Sequence, residues 1–220
     1  MKLKQQLTIA FIVSVISLIG FSFIAFTIRA NEYLKFDEDV ISLVQGLESP
    51  LLTSIMKFFT YIGSTSALII LSLFILFFLY KVLKHRLELI LFSAVIIGSP
   101  LLNLMVKLFF QRARPDLHRL IDIGGYSFPS GHAMNAFSLY SILTFLLWRH
   151  ITAKWARVLL ILFSMAMILS IGISRIYLGV HYPSDIIAGY LAGGFWIASS
   201  IWFFQRYQDR RKNKEITGQD

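Results

Sequence analysis

Charged residues divide this chain into long uncharged stretches, which cover 5–28, 58–80, 89–106, 123–148, 158–174 and 186–205. Each approaches the ~20 residues with which a helix crosses the hydrocarbon core of a bilayer. Inside lipid, backbone polar groups must be satisfied within the segment, as a helix does. The pattern therefore predicts an all-α polytopic membrane protein, six transmembrane helices in one bundle, over roughly 7–28, 62–80, 89–108, 131–148, 156–174 and 185–205. The first run follows Lys2 and Lys4 but is too long for a secretory signal and ends Thr27-Ile28-Arg29-Ala30 without a small-x-small cleavage site, so it is read as a retained span. Between spans one and two the period changes. Tyr33, Phe36, Val40, Leu43 and Leu47 recur at three- and four-residue steps, with Asp37, Glu38, Asp39 and Gln45 between them. A short amphipathic helix is expected there.

Composition narrows the class further. The chain is 56% apolar and only 15% charged, against ~25% charged for an ordinary soluble domain. That excludes a soluble enzyme and a disordered chain, and leaves one transmembrane domain over 1–220. With no cysteine, disulfides, thiolate nucleophiles and sulfur-ligated zinc are excluded. The net charge of +9 is unevenly shared: thirteen cations face four anions on the side holding both termini, and eight face eight on the other. The positive-inside rule puts both termini in the cytoplasm of a cell-membrane protein and the amphipathic helix outside, where it either packs over the span ends or guards a site opening sideways into lipid. Because these cations flank spans, they carry no signal for nucleic acid. The basic tail 206–220 reads first as a solvated stop-transfer flank, with attraction to anionic lipid at the inner leaflet as the alternative. Gly189 and Gly193 form a G-x-x-x-G that is expected to serve close packing within the bundle.

The polar residues that remain fall into three blocks: Lys107 through Arg114-Pro115, Pro129-Ser130-Gly131-His132, and Ser174-Arg175 through His181 to Asp185. All three are assigned to the external face by the layout of the spans. Lys107, Arg114, Arg175 and two histidines meeting where acid has no excess suit a polyanion. Pro129 ends any preceding helix, Ser130 is a good N-cap and Gly131 permits close approach, so the first amides of span four offer an anion cradle. Asp185, just inside span six, can hold one nitrogen of His181 as N–H and leave the other free to attack. His132 is a second imidazole, suited to protonating a departing alkoxide. One ring neutral and one protonated predicts a bell-shaped pH dependence. His85, His118 and His150 lie in gaps without comparable company. No metal or other cofactor is called for: the external face has no H-E-x-x-H and no clustered carboxylate ligands.

Together the blocks resemble the signature of the type 2 phosphatidic acid phosphatase superfamily, K-x6-R-P, P-S-G-H and S-R-x5-H-x3-D, at every fixed position from Lys107 to Asp185. Eleven specified residues at ~5% usage each make a chance match negligible. The resemblance implies a membrane lipid phosphatase in which His181 forms a phosphohistidine, Asp185 orients it and His132 is the acid toward the lipid alcohol. Lys107, Arg114, Arg175, Ser130 and the Gly131 amide would hold the phosphoryl oxygens. It implies hydrolysis of phosphatidylglycerophosphate to phosphatidylglycerol and phosphate, with undecaprenyl pyrophosphate and phosphatidic acid as further substrates. These would be taken from the bilayer, with no obligatory protein partner. It also implies inhibition by vanadate. A phosphotransferase using a non-water acceptor and, from another class, a transporter are the alternatives.

Overall fold

The computed structural model describes residues 3–30, 34–83, 86–116 and 118–217. Its helices are α1 (Leu3–Ala30), α2 (Lys35–Gln45), α3 (Pro50–Ile62), α4 (Thr65–Phe78), which runs into a π-helical turn over Leu79–Leu83, α5 (Arg86–Phe110), α6 (Gly131–Trp148), α7 (Lys154–Tyr177) and α8 (Pro183–Thr217). Strands are absent among the described residues. Four helices, α1, α5, α7 and α8, are each long and apolar enough to cross a membrane, and the bent pair α3 and α4 makes a fifth apolar unit.

The uncharged run 58–80 is interrupted at the start of the expected second span, 62–80, which α4 and its π-helical turn cover from Thr65 onward. Ser49 caps α3, with Pro50 in its first turn; Gly63 ends it, and the Ser64 hydroxyl accepts from the Ala67 amide to start α4. The two helices meet at 54°. The Ser-Pro and Gly-Ser punctuation that makes this break is ordinary start-and-stop chemistry, overlooked in a segment that reads as uniformly apolar. Tyr33 of the anticipated amphipathic helix, His85 and the last three residues of the tail lie outside the described residues. The rest of the tail prolongs α8 to Thr217.

α6 lies between α5, α7 and α8, which shield its polar side chains. Asn135 Oδ1 accepts from Ser99 Oγ at 2.9 Å, Ser138 Oγ donates to Ser99 Oγ at 3.0 Å, and Thr144 Oγ1 lies 2.7 Å from Ser164 Oγ. Hydroxyls and amides paired between helices hold such bundles together where lipid offers no hydrophobic drive. α1 joins α8 in the same way, with Ser14 Oγ 2.8 Å from Ser199 Oγ. At the opposite end from the three sequence blocks, Glu88 pairs with Arg149 at 3.3 Å and His150 at 3.6 Å, tying the start of α5 to the end of α6.

The G-x-x-x-G faces α6 inside the bundle. A methyl on Gly189 would stand 2.8 Å from the Ser130 carbonyl oxygen, and one on Gly193 would stand 3.1 Å from that of Met134. Gly189→Ala is thus expected to push α8 away from the first turn of α6, with a loss of ~1–3 kcal/mol. A lower unfolding temperature in detergent checks it; an unchanged one would show that α6 yields freely.

α2 corrects the sequence reading. Val40, Ile41 and Val44 pack against Ala133, Ile176 and Ile186, whereas Phe36, Leu43 and Leu47 remain exposed. Asp37, assigned to the polar face, is buried at 1% exposure. A carboxylate is buried only where donors replace water, and those donors come from the site.

Candidate active site

The three blocks meet at one end of the bundle. Lys107, in the last turn of α5, donates from Nζ to the carbonyls of Tyr126 and Ser127 at 2.5 and 3.3 Å. Gln111, at φ 48°, turns the chain out of α5. Arg114 follows, and its guanidinium gathers the loop by donating to the carbonyls of Gly124, Gly125, Tyr126 and Val180 and to His181 Nε2 at 3.1 Å. Arg175 ends α7 at 1% exposure; it donates from one terminal nitrogen to Thr60 Oγ1 of α3, and its Nε has no partner among the described residues. None of Lys107, Arg114 and Arg175 makes an ion pair among the described residues. Their charges nevertheless act on one another. Three cations without an ion-pair partner among the described residues, two of them held by carbonyl oxygens, form a seat for an anion.

His181 lies in the turn from α7 to α8, at 2% exposure. Arginine can only donate, so the contact from Arg114 makes Nε2 an acceptor and leaves the ring proton on Nδ1. That nitrogen faces Asp185 Oδ2 at 3.4 Å and Ser127 Oγ at 3.3 Å. Asp185 Oδ2 also accepts from Ser127 Oγ and from the Tyr182 amide at 3.0 Å. Burial pushes His181 down to about 3, against the opposing pull of Asp185. The ring is therefore neutral at neutral pH, with its lone pair on the side of the cations.

The sign of this shift sets a stability trend. Unfolded, the ring takes a proton near ~6.5; folded, it stays neutral to about 3. The unfolded state binds more protons in that window, so acidification through it removes stability. Unfolding temperatures measured against pH are expected to fall more steeply for the wild type than for His181→Asn; equal slopes would remove His181 as the cause.

The second block joins the other two. The Ser130 amide donates to the Asp185 carbonyl at 3.0 Å, binding the start of α6 to the start of α8. Ser130 Oγ and its carbonyl take the amides of Ala133 and Met134, so the Gly131 and His132 amides head the helix. Asn103 Nδ2 donates to the Pro129 carbonyl at 3.2 Å, and its Oδ1 lies 3.0 Å from where a Gly131 side chain would begin, so only glycine fits there without displacing it. His132 is hydrogen-bonded to the backbone of Thr60, and the charges of Arg175, His181 and Arg114 act on it. All eight residues singled out in the sequence therefore belong to one cluster.

Five partners escaped the sequence reading: Asp37, Thr60, Asn103, Arg112 and Ser127. Ser127, two residues before Pro129, and Arg112, inside the first block, were within sight of the motifs. Asp37 and Thr60 come from helices that carry no motif. Two of the other histidines also gain company, for His118 pairs with Glu48 at 2.7 Å and His150 with Glu88. Among the described residues no group of three or more His, Cys, Asp or Glu is disposed to hold a metal ion. A cavity of ≈ 1310 Å³ reaches Arg114 and His181 past Ile28 of α1, Ile41 and Gln45 of α2, and Phe110.

A helical bundle with this cluster at one end defines a class, and the sequence profile of the PAP2 superfamily matches residues 88–209, which enclose all three blocks. The chain belongs to that superfamily and is a multi-pass membrane protein. It is 32% identical to phosphatidylglycerophosphatase B of Bacillus subtilis (strain 168) over 178 residues, covering 79% of this chain and 85% of that one. The crystal structure of the transmembrane PAP2 type phosphatidylglycerolphosphate phosphatase from Bacillus subtilis superposes with a TM-score of 0.74 at 28% identity, covering 90% of this chain and 96% of that one. A lipid A 4'-phosphatase of Porphyromonas gingivalis is 31% identical over 177 residues, 73% of this chain and 69% of its own.

Proposed function

We propose that this protein is a metal-independent lipid phosphate phosphatase whose principal substrate is phosphatidylglycerophosphate, with undecaprenyl pyrophosphate and phosphatidic acid as slower substrates. The observation that carries the reading is the lone pair of His181 Nε2 directed at Arg114, with Arg175 acting on the same ring and Lys107 acting with both arginines, none of the three cations having an ion-pair partner among the described residues. The phosphate monoester enters with its oxygens on Lys107, Arg114, Arg175 and the amides at the head of α6. Arg114 then exchanges Nε2 for a phosphoryl oxygen. Nε2 attacks phosphorus, the P–O bond to the lipid alcohol breaks, and His132 supplies the proton that the alkoxide takes. Asp185 stabilises the positive charge on the phosphorylated ring. Water, deprotonated by His132, next attacks phosphorus, the P–N bond breaks and phosphate leaves. Such transfer is mostly positioning and charge stabilisation.

The preference for phosphatidylglycerophosphate is supported by the extent of the likeness to the Bacillus subtilis phosphatase. The likeness to a lipid A 4'-phosphatase supports the wider class of lipid phosphates, among which the residues around the three blocks would make the choice. In the proposed arrangement α6 is the sixth crossing, both termini are cytoplasmic in the cell membrane, and the site faces outward. The exposed Phe36 and Leu43 of α2, and Leu47 just after it, then rest in the outer leaflet.

The test is phosphate release from purified phosphatidylglycerophosphate, undecaprenyl pyrophosphate, phosphatidic acid and lipid A in detergent, with excess chelator present. The highest kcat/KM is expected for phosphatidylglycerophosphate, undiminished by the chelator. A faster reaction on another lipid overturns the substrate assignment, loss in chelator overturns metal independence, and transfer to an added lipid alcohol instead of water identifies a transferase.

A further inference from the structure

Arg112 stands between two buried carboxylates. One terminal nitrogen donates to Asp185 Oδ1 at 2.8 Å and to Ser184 Oγ at 2.9 Å, and the other to Asp37 Oδ2 at 3.1 Å. The guanidinium also lies 4.0 Å from the centre of the Tyr182 ring. Asp37 accepts two further hydrogen bonds, from the Ser184 amide at 2.8 Å and from Ser184 Oγ at 2.6 Å. The side chains of Arg112, Asp37 and Asp185 are 8%, 1% and 0% exposed. The chain from α2 to the nucleophile is thus continuous: Asp37, Arg112, Asp185, His181.

This arrangement separates Arg112 from Arg114, two residues on. Arg114 donates to carbonyls and to His181, and has no carboxylate against it. Arg112 is neutralised on both sides and covered by Tyr182, so it has no charge to offer a phosphate. What it does instead is fix Asp185. With Oδ1 held by Arg112, Oδ2 faces Ser127, the Tyr182 amide and His181 Nδ1. Without that hold only Ser127 and the Tyr182 amide anchor the carboxylate, at Oδ2, so its plane and the acceptor for the Nδ1 proton are less firmly set. Asp37 in turn sets the plane of Arg112 and clamps the first turn of α8 through Ser184.

We infer that Arg112 and Asp37 are positioning residues that hold Asp185, and through it the His181 tautomer, so that α2 is a fixed wall of the catalytic centre. The inference rests on His181 being the nucleophile, as proposed above. A lost second-layer contact of this kind typically lowers activity ~10- to 100-fold. Arg112→Ala is expected to reduce kcat by ~30-fold with KM little changed, and Arg112→Lys to recover part of it. Asp37→Asn, which preserves shape, is expected to lose ~10-fold, and Asp39→Asn, exposed on the same helix, nothing.

Two readouts separate positioning from mere support of the fold. Against an Asp185→Asn background, Arg112→Ala should have less than ~2-fold further effect, because groups acting as a unit are not additive. The second readout needs no substrate: nitrogen-15 spectra of histidine-labelled protein in detergent should show His181 protonated on Nδ1 in the wild type and a mixture of tautomers in Arg112→Ala and Asp37→Asn. Fully additive losses, an unchanged kcat in both variants, or an unaltered His181 spectrum in both would overturn the inference. If the wild type releases phosphate from none of the lipids, the proposed function fails while the spectra still decide this point. Where Arg112→Ala is too unstable to purify, Asp37→Asn and Arg112→Lys carry the same tests.

Discussion

Replacing His181 by alanine is expected to lower phosphate release by ~10⁴- to 10⁶-fold, the scale seen when a covalent nucleophile is removed. Nε2 is the acceptor atom that the Arg114 guanidinium touches, so an attacking lone pair is aimed where the cations gather. Alanine leaves a buried space at a position only 2% exposed, and a water admitted there cannot replace the covalent step that the imidazole lone pair makes. A second observable belongs to the same prediction. Rapid acid-free quenching of the wild type with labelled lipid phosphate should trap a phosphoprotein that survives base and decays in acid, as a P–N bond does, and the variant should trap none. Residual activity within tenfold of the wild type would end the covalent mechanism. Equal labelling of the variant would move the nucleophile to another residue.

Arg175→Met is expected to reduce kcat/KM by ~100- to 1,000-fold, the usual effect of removing one donor from a developing oxyanion, while leaving the fold as stable as before or more so. The reason is the unusual state of this side chain. It is 1% exposed, has no ion pair among the described residues and leaves Nε unsatisfied, with Thr60 as its hydrogen-bond acceptor. An unpaired buried cation carries a desolvation penalty of several kcal/mol that a well-packed apolar side chain of similar volume removes. A residue that burdens the fold in this way is retained for what it binds. The measurement pairs turnover with the unfolding temperature, and adds orthovanadate as a phosphate mimic. Vanadate should raise the wild-type transition by selective binding to the folded state and should fail to raise that of the variant. A variant that unfolds many degrees lower, or one still protected by vanadate, would make Arg175 a structural residue.

These two residues were legible in the sequence because motif spacing records chemistry that a short segment must deliver together. His181 and Asp185 are four residues apart on either side of a helix start, and Ser130 and Gly131 cap the helix that His132 opens. Lys107 and Arg114 straddle the end of α5. Their meeting at one end of the bundle followed from counting uncharged runs, since alternate loops share a side. The break at Gly63 and the inward face of α2 were not legible in the same way. A helix that turns a carboxylate inward reads as an ordinary amphipathic helix until the donor is known, and α3 was lost in a stretch whose apolar residues serve either one long helix or two.

The amino-acid order by itself determined the number of apolar runs, the class of fold and the eight residues that the structure gathers into one cluster, because each depends on the composition of one segment or on a spacing of a few residues. Only the tertiary structure decided what holds those residues in place. Arg112 reaches Asp37 and Asp185 across 75 and 73 residues of chain, and Arg175 reaches Thr60 across 115. Buried charges must find their partners wherever packing brings a donor or acceptor within hydrogen-bond range, and no periodicity along the chain encodes which distant side chain that will be.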